Sequence, residues 1–449
     1  MRSPDKVKFL KSLYINNRFF YVLAGLVILF IVSFLFPVIF GLVKGLLIVL
    51  ILVWLVDIYL LYGMKQGIQA QRILPERLSN GDLNPVWIQV QNQYSFPIDL
   101  RIIDEIPIQF QSRNFGLKAK MSSRQSAGFP YELRPVERGQ YEFGRLNIYV
   151  SGILGLISRR FVFDQGAVVP TYPSFLQMRQ YELMAFSHSY HQHGLKKIRK
   201  VGQSAEFDQI RDYVRGDDVR HINWKATARK TTLMVNQYQD ERAQPIYSII
   251  DQGRVMKMPF RGLSLLDYAI NATLALSNIA LLKHDKAGML SFSNKVEHMV
   301  AAERRNAQMQ LILESLYHLN TNFMETDFGR LYAFVKAKMT HRSLLMVYTN
   351  FETMDALNRQ LRYLKALSRL HLVVVIFFKN AELDTLLESH AHTVPQIYDK
   401  AIAEKFDYEK RLITAELRKY GIHTVLTRPE DLTADTINKY LEFKSRGLF

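Results

Sequence analysis

The stretch from Phe19 to Phe40, FFYVLAGLVILFIVSFLFPVIF, contains no ionisable side chain. Wound as a helix it is long enough to cross a hydrocarbon layer of about 30 Å. A second apolar run, Leu46 to Tyr62, has Asp57 as its one charge and carries Trp54, Tyr59 and Tyr62 toward its end, as an interfacial belt does. Only Gly41 to Gly45 separate the two, enough for a tight turn, so the spacing predicts an antiparallel transmembrane hairpin over residues 19–62. Lys6, Lys8, Lys11 and Arg18 precede it; Lys65, Arg72 and Arg77 follow it; the turn offers Lys44. The positive-inside rule then puts residues 1–18, and everything after the hairpin, in the cytoplasm of an inner-membrane protein. A cleaved signal peptide has a shorter apolar core, about 7–15 residues, and a small-residue cleavage site.

The remainder is too long for one core and suits two further domains. Its apolar content, 48% for the whole chain against 22% charged, is that of folded protein. Cysteine is absent, which removes disulfides, thiolate metal sites and cysteine nucleophiles. A net charge of +17 suits either nucleic acid or the anionic face of a membrane, so placement must decide.

Over residues 72–173 short apolar runs alternate with turn residues. VWIQVQ (Val86 to Gln91), IDLRII (Ile98 to Ile103), FPYEL (Phe129 to Leu133) and YEFGRLNIYV (Tyr141 to Val150) read as strands. Asn80-Gly81-Asp82, Phe96-Pro97, Arg134-Pro135 and Arg138-Gly139 read as reversals. About seven strands in this length predict an immunoglobulin-like β-sandwich. Residues 174–242 form a linker and a charged segment packing on the C-terminal domain. The linker holds His188, His191 and His193 among Lys196, Lys197, Arg199 and Lys200, without the acids or cysteines that would complete a metal site. In the charged segment Glu206, Asp208, Asp212, Asp217 and Asp218 interleave with Arg211, Arg215, Arg220 and Arg229, a pattern that predicts a clasp of Arg–carboxylate pairs. An aspartate of Gly216-Asp217-Asp218 caps the helical VRHINWKATAR, and Trp224 offers an apolar docking surface. The carboxylates would repel phosphate, and no nucleophile accompanies them.

From residue 243 to 449 apolar strand runs alternate with helix-period segments. Ile246 to Asp251, Ala287 to Ser293, Ser343 to Asn350, Leu372 to Phe378 and Ile422 to Leu426 are the strands; Leu263 to Lys283, Arg304 to Leu319, Asp327 to Lys338, Thr353 to Leu370 and Ile397 to Tyr420 are the helices. Such alternation predicts a doubly wound, mostly parallel sheet, with ligands met at the strands' carboxyl ends.

The charged segment's order, Glu206-Phe207, Arg211, Tyr213, Gly216-Asp217-Asp218, Arg220, Asn223-Trp224 and Arg229, resembles the bacterial and archaeal family called domain of unknown function 58. ELRPVERGQYEFGRLNIYVSGILGL, Glu132 to Leu156, is similar to that family's second recurrent stretch, with Ser151-Gly152-Ile153 where many members carry Asp-Pro. The resemblance implies a von Willebrand factor A-like C-terminal domain. Asp251 in DQGRVM resembles the aspartate of a metal-ion-dependent adhesion site, but Gly253 and Val255 stand at its two serine positions; Thr326 matches the threonine ligand and Asn350 replaces an aspartate. Magnesium wants about six oxygens, and Gly and Val supply none, so weak binding or none is expected. The resemblance also implies a MoxR-type AAA+ ATPase and other membrane or von Willebrand-type proteins as partners.

The expectation is a non-enzymatic membrane-anchored scaffold or adaptor that needs no cofactor and docks through the loops around Asp251, Thr326 and Asn350. Two rivals are a metal-dependent hydrolase, which needs an ion at Asp251, and a nucleic-acid binder, which would use the positive charge but is not favoured by the motifs.

Overall fold

The computed structural model describes residues 9, 11–112, 115–178, 181–182, 205–214, 217–240, 243–380, 383, 386–387 and 393–448. They form two compact units, 1–172 and 173–449. The three histidines of the linker, its basic cluster and Gly216 lie outside the described residues.

In the first unit a short strand, β1 (Leu13–Ile15), precedes helix α1 (Asn17–Leu35) and helix α2 (Phe40–Tyr62). The reversal falls at Pro37–Ile39 rather than at Gly41 to Gly45. Pro37 has no N–H to continue a ladder and its ring clashes with the preceding turn, so the first helix stops before it. Gly41 and Gly45 are absorbed into α2. Leu26, Val43 and Leu50 pack the two helices together, while only 11% of each apolar stretch is buried within the protein. A third helix, Leu265–Leu282, is also apolar enough to cross a membrane, but 78% of it is buried in the second unit. The two N-terminal helices therefore present the exposed apolar surface that fits membrane association.

Ten strands follow: β2 (Ile68–Ile73), β3 (Leu78–Ser79), β4 (Asn84–Asn92), β5 (Ile98–Asp104), β6 (Leu117–Met121), β7 (Ser126–Leu133), β8 (Gly139–Phe143), β9 (Leu146–Ser151), β10 (Ile157–Phe163) and β11 (Ala167–Tyr172). They pair as β1-β10-β9-β5-β6, β3-β11-β8 and β2-β4-β7. Alternation places Val86, Ile88 and Val90 of β4 inward with Ile98, Leu100 and Ile102 of β5, in one core shared by all three sheets. More strands form than the seven expected. Tyr141 to Val150, read as one strand, is two on different sheets. The chain crosses at Gly144, where a Cβ would lie 2.6 Å from Glu105 Oε2, and Arg145 N–H donates to the same oxygen at 2.9 Å. Arg72, read as a flanking cation, is buried: it pairs with Asp104, which also accepts from Tyr131 Oη at 2.6 Å.

The helices are bolted to this β-rich domain. Asp57 of α2 is fully buried and accepts from the backbone N–H of Leu156 (3.0 Å) and Ile157 (3.1 Å). Arg159 donates to the carbonyls of Leu61, Met64 and Lys65, and Tyr94 Oη donates to Leu61 O, so side chains of the sheets satisfy carbonyls at the end of α2. Gly152 lets the loop close on Asp57; a Cβ there would lie 3.2 Å from Asp57 Oδ1.

In the second unit β12 (Ala205–Asp212) and β13 (Met234–Asp240) form an antiparallel hairpin carrying helix α3 (Trp224–Lys230). Then come β14 (Pro245–Asp251), the two-residue strands β15 (Pro259–Phe260) and β16 (Leu263–Ser264), α4 (Leu265–Leu282), β17 (Lys286–Phe292), β18 (Val296–Glu303), α5 (Gln308–Tyr317), α6 (Phe328–Lys338), β19 (Leu344–Tyr348), α7 (Met354–Leu370), β20 (Leu372–Phe378), α8 (Val394–Lys419), β21 (His423–Thr427) and α9 (Leu432–Arg446). The main sheet runs β18-β17-β14-β19-β20-β21, all parallel except the edge strand β18. Two apolar clusters, one on each face, bury it: Leu274 and Tyr440 belong to one, Leu364 and Ile413 to the other. This is the doubly wound sheet the alternation predicted. Its winding reverses between β14 and β19, and the crevice for a ligand belongs at the carboxyl ends of those strands.

Candidate functional site

Asp251 ends β14 at that reversal, with no exposed surface. Its Oδ1 accepts from Gly253 N–H and Thr326 Oγ1, each at 2.7 Å, and its Oδ2 accepts from Thr349 Oγ1 at 2.7 Å. Burial pushes the carboxyl above the ordinary carboxylate range, against the pull of those three donors. The hub is continued by backbone bonds: Arg254 N–H donates to Met324 O (3.1 Å), Asn322 N–H to Gln252 O (3.3 Å) and Gln252 N–H to Phe292 O (2.8 Å). One carboxylate thus ties the loops after β14 and before α6 to the end of β19.

Of the three residues around which docking is expected, Thr326 is partly exposed. Asp251 is enclosed, Thr349 and Asn350 are buried, and the exposed side chains of these loops include the apolar Val255 (36%), Phe323 (61%) and Met324 (49%) beside the charged Arg254 and Glu325. Phe323 holds a φ of 58°, a conformation that costs a bulky residue about 1–3 kcal/mol and persists only where neighbours enforce it.

The residues present do not fit a hexacoordinate magnesium ion. Gly253 and Val255 carry no side-chain oxygen, and a Cβ on Gly253 would lie 2.2 Å from Thr326 Oγ1 and 2.9 Å from Asp251 Oδ1. The space of the missing side chain is filled by the threonine hydroxyl. Asn350 Oδ1 accepts instead from the ammonium of Lys410 at 2.7 Å, which also donates to Phe351 O at 2.6 Å. Among the described residues no group of three or more His, Asp or Glu could hold a metal.

Thr349 and Lys410 escaped the sequence reading. Thr349 sits one residue before the asparagine that drew attention. Lys410 does leave a signal, for it shares the buried helical stripe of Ile413 and Leu417 at i, i+3 and i+7.

The charged segment lies elsewhere, on the β12–β13 hairpin, where several of its residues shape turns and caps. Glu206 and Phe207 fall in β12. Arg211 donates to Asp217 at 2.6 Å and holds that carboxyl below its usual range; Asp217 also accepts from Val214 N–H at 2.9 Å. Tyr213 N–H donates to Leu233 O at 2.8 Å. Asp218 accepts from Arg220 N–H and caps a single turn, Val219–His221, while Asn223 caps α3 by accepting from Ala226 N–H, both at 3.0 Å. The expected cap of one continuous helix is thus two caps on two short helices, because Ile222 is extended and bridges Val235. Arg220 and Arg229 are exposed, and Trp224 is 69% exposed, so these described side chains face solvent.

Membrane-associated helices, a β-rich domain and a doubly wound α/β domain closed around Asp251 define the class of protein. The model of the family described as Protein of unknown function DUF58 matches residues 209–386 of this chain. The chain is 24% identical over 200 residues to "Uncharacterized protein YeaD" of Bacillus subtilis (strain 168), a match covering 43% of this chain and 49% of that protein; the chain spans about half the length of this curated relative. Solved structures similar to parts of it include the ASH / PapD-like domain of human CEP192 (8% identity, 24% of this chain, 87% of that one, TM-score 0.19). Another is a CARDB domain from Pyrococcus furiosus in complex with di-metal ions (12% identity, 23% of this chain, 86% of that one, TM-score 0.17). Scores this low carry no argument.

Proposed function

We propose that this chain is a non-enzymatic adaptor, anchored in the inner membrane by two passes, with its folded domains in the cytoplasm. Strand β1 precedes the hairpin and β10 follows it, yet they pair in one sheet, which supports both flanks lying on one side of the bilayer. In this reading the β-rich domain is immunoglobulin-like, supported by the buried Tyr141, whose Oη donates back to Glu137 O at 2.9 Å as a tyrosine corner does. The second unit is a von Willebrand factor A-like domain with a closed, metal-free adhesion site, supported by its strand order and antiparallel edge.

One observation carries the function: exposed apolar side chains, Phe323 and Met324, stand on a loop that Asp251 pins from beneath. A rigid loop with apolar anchors pays little ordering entropy on binding. Its partner, implied by the family resemblance, is a MoxR-type AAA+ ATPase, and the work is envelope-related assembly or maturation. Capture of that ATPase by the full chain in detergent, compared with Phe323→Ala/Met324→Ser, tests this. The double variant is expected to lose at least about tenfold in affinity, since two anchors at about 1–2 kcal/mol each exceed the 1.4 kcal/mol of one decade. Undiminished capture overturns the reading.

A further inference from the structure

Over the carboxyl ends of β19 and β20 lies a cavity of about 180 Å³. Met258, Phe260, Leu265, Phe378 and Phe406 supply apolar wall, and Lys410 and Asn350 line it too. The volume is below the roughly 300–1,000 Å³ of sites for drug-sized molecules, so it admits a small body.

Lys410 is the unusual member. The residue is 8% exposed, and both of its hydrogen-bond partners, Asn350 Oδ1 and Phe351 O, are neutral oxygens. An ammonium has three donors, so one is left. Buried charges are ordinarily paired, and among the described residues none pairs with this one. Burial pushes the amine down to about 8, with nearby Glu352 pulling the other way. Glu352 is exposed, and Asp407, the other acid lining the cavity, is already engaged by Arg411 at 2.6 Å and lies 3.9 Å from Lys379. The buried end of the cavity is therefore positive and its walls are greasy.

We infer that this cavity is a binding site for a small organic carboxylate with an apolar body, its carboxylate completing the ion pair of Lys410 and its body resting on Phe260, Phe378 and Phe406. The site supplies what each part of such a molecule lacks in a protein interior: a charge-assisted donor at one end and desolvation at the other. Neither half suffices, because the uncharged isostere leaves the ammonium without its counter-ion. This inference goes beyond the docking reading and stands without it.

The test is a ligand-observed NMR titration of the full chain in detergent micelles with benzoate and hexanoate as free acids, and benzamide as the neutral isostere of benzoate. Saturable binding of at least one carboxylate, weakened at least about tenfold by Lys410→Met and about tenfold stronger than benzamide, is expected from the loss of a charge-assisted contact. Phe406→Trp fills the cavity from its partly exposed wall, leaves Lys410 in place and should abolish the same binding, which guards against misfolding of the lysine variant. The inference is overturned by absence of saturable binding for both acids, by equal binding of benzamide, or by acid binding that both variants retain. None of these outcomes touches capture of the ATPase through Phe323 and Met324.

Discussion

Gly253→Ala is the sharpest probe of the closed site, because the space for a Cβ is already occupied. The new atom would lie 2.2 Å from Thr326 Oγ1, far inside contact, and 3.1 Å from Met324 O. The backbone at Gly253 is extended, φ −66° and ψ 171°, so the cost comes from the neighbour and not from the dihedrals. Thr326 must swing away and surrender its 2.7 Å bond to Asp251, leaving a buried carboxylate oxygen with one donor fewer. Overpacking costs about 1–3 kcal/mol and a bond to a charged group about 1.5–3 kcal/mol, which together give about 2.5–6 kcal/mol. Hydrogen exchange of the amides of Ile246 to Asp251, followed by mass spectrometry on the full chain, reads that loss in the second unit alone. Thr326→Ala vacates the colliding position, so the double variant should be less impaired than the sum of the singles by more than about 1 kcal/mol. A Gly253→Ala protein within about 0.5 kcal/mol of the parent, additive with Thr326→Ala, would refute both the crowding and the hub.

Two further outcomes follow from buried charges. Asp57→Ala strips the acceptor from two enclosed amides, Leu156 and Ile157, at about 1–3 kcal/mol each, and should speed their exchange; Asp57→Asn keeps an acceptor and should recover most of it, so equal damage from both would refute the hydrogen-bond account. Lys410 binds its proton less tightly folded, at about 8, than at its ordinary 10.5, so the unfolded chain holds more protons in that window and stability rises with pH through it, by about 3 kcal/mol in all; Lys410→Met should flatten this slope, and an unchanged slope would refute it.

The class of each region was legible because periodicity survives translation into structure. LVVVIFF, Leu372 to Phe378, is buried at every residue and is a strand of just those bounds, as continuous apolarity between helix-period segments requires. What escaped was set by single atoms at long range. Nothing local in YEFGRLNIYV marks Gly144 as the point where the chain changes sheets; the reason is Glu105, distant in sequence. Val296–Glu303 has the weak alternation of an edge strand, partly exposed along its length, and so lacked the signal its buried neighbours carry. Asp251 and Thr326 were singled out together in the sequence, and the structure brings them to 2.7 Å. That Thr326 fills the gap at Gly253, and that Lys410 has claimed Asn350, are facts of packing that no spacing rule encodes.

The pairing of Leu13–Ile15 with Ile157–Phe163 bears on how the molecule is made. Its first described strand leaves the ribosome well before its partner, with both apolar helices emerging in between. A contact so distant in sequence closes late and slowly. Both helices can therefore be complete while the first sheet is still unfinished, and sealing that sheet then fixes the hairpin to the β-rich domain.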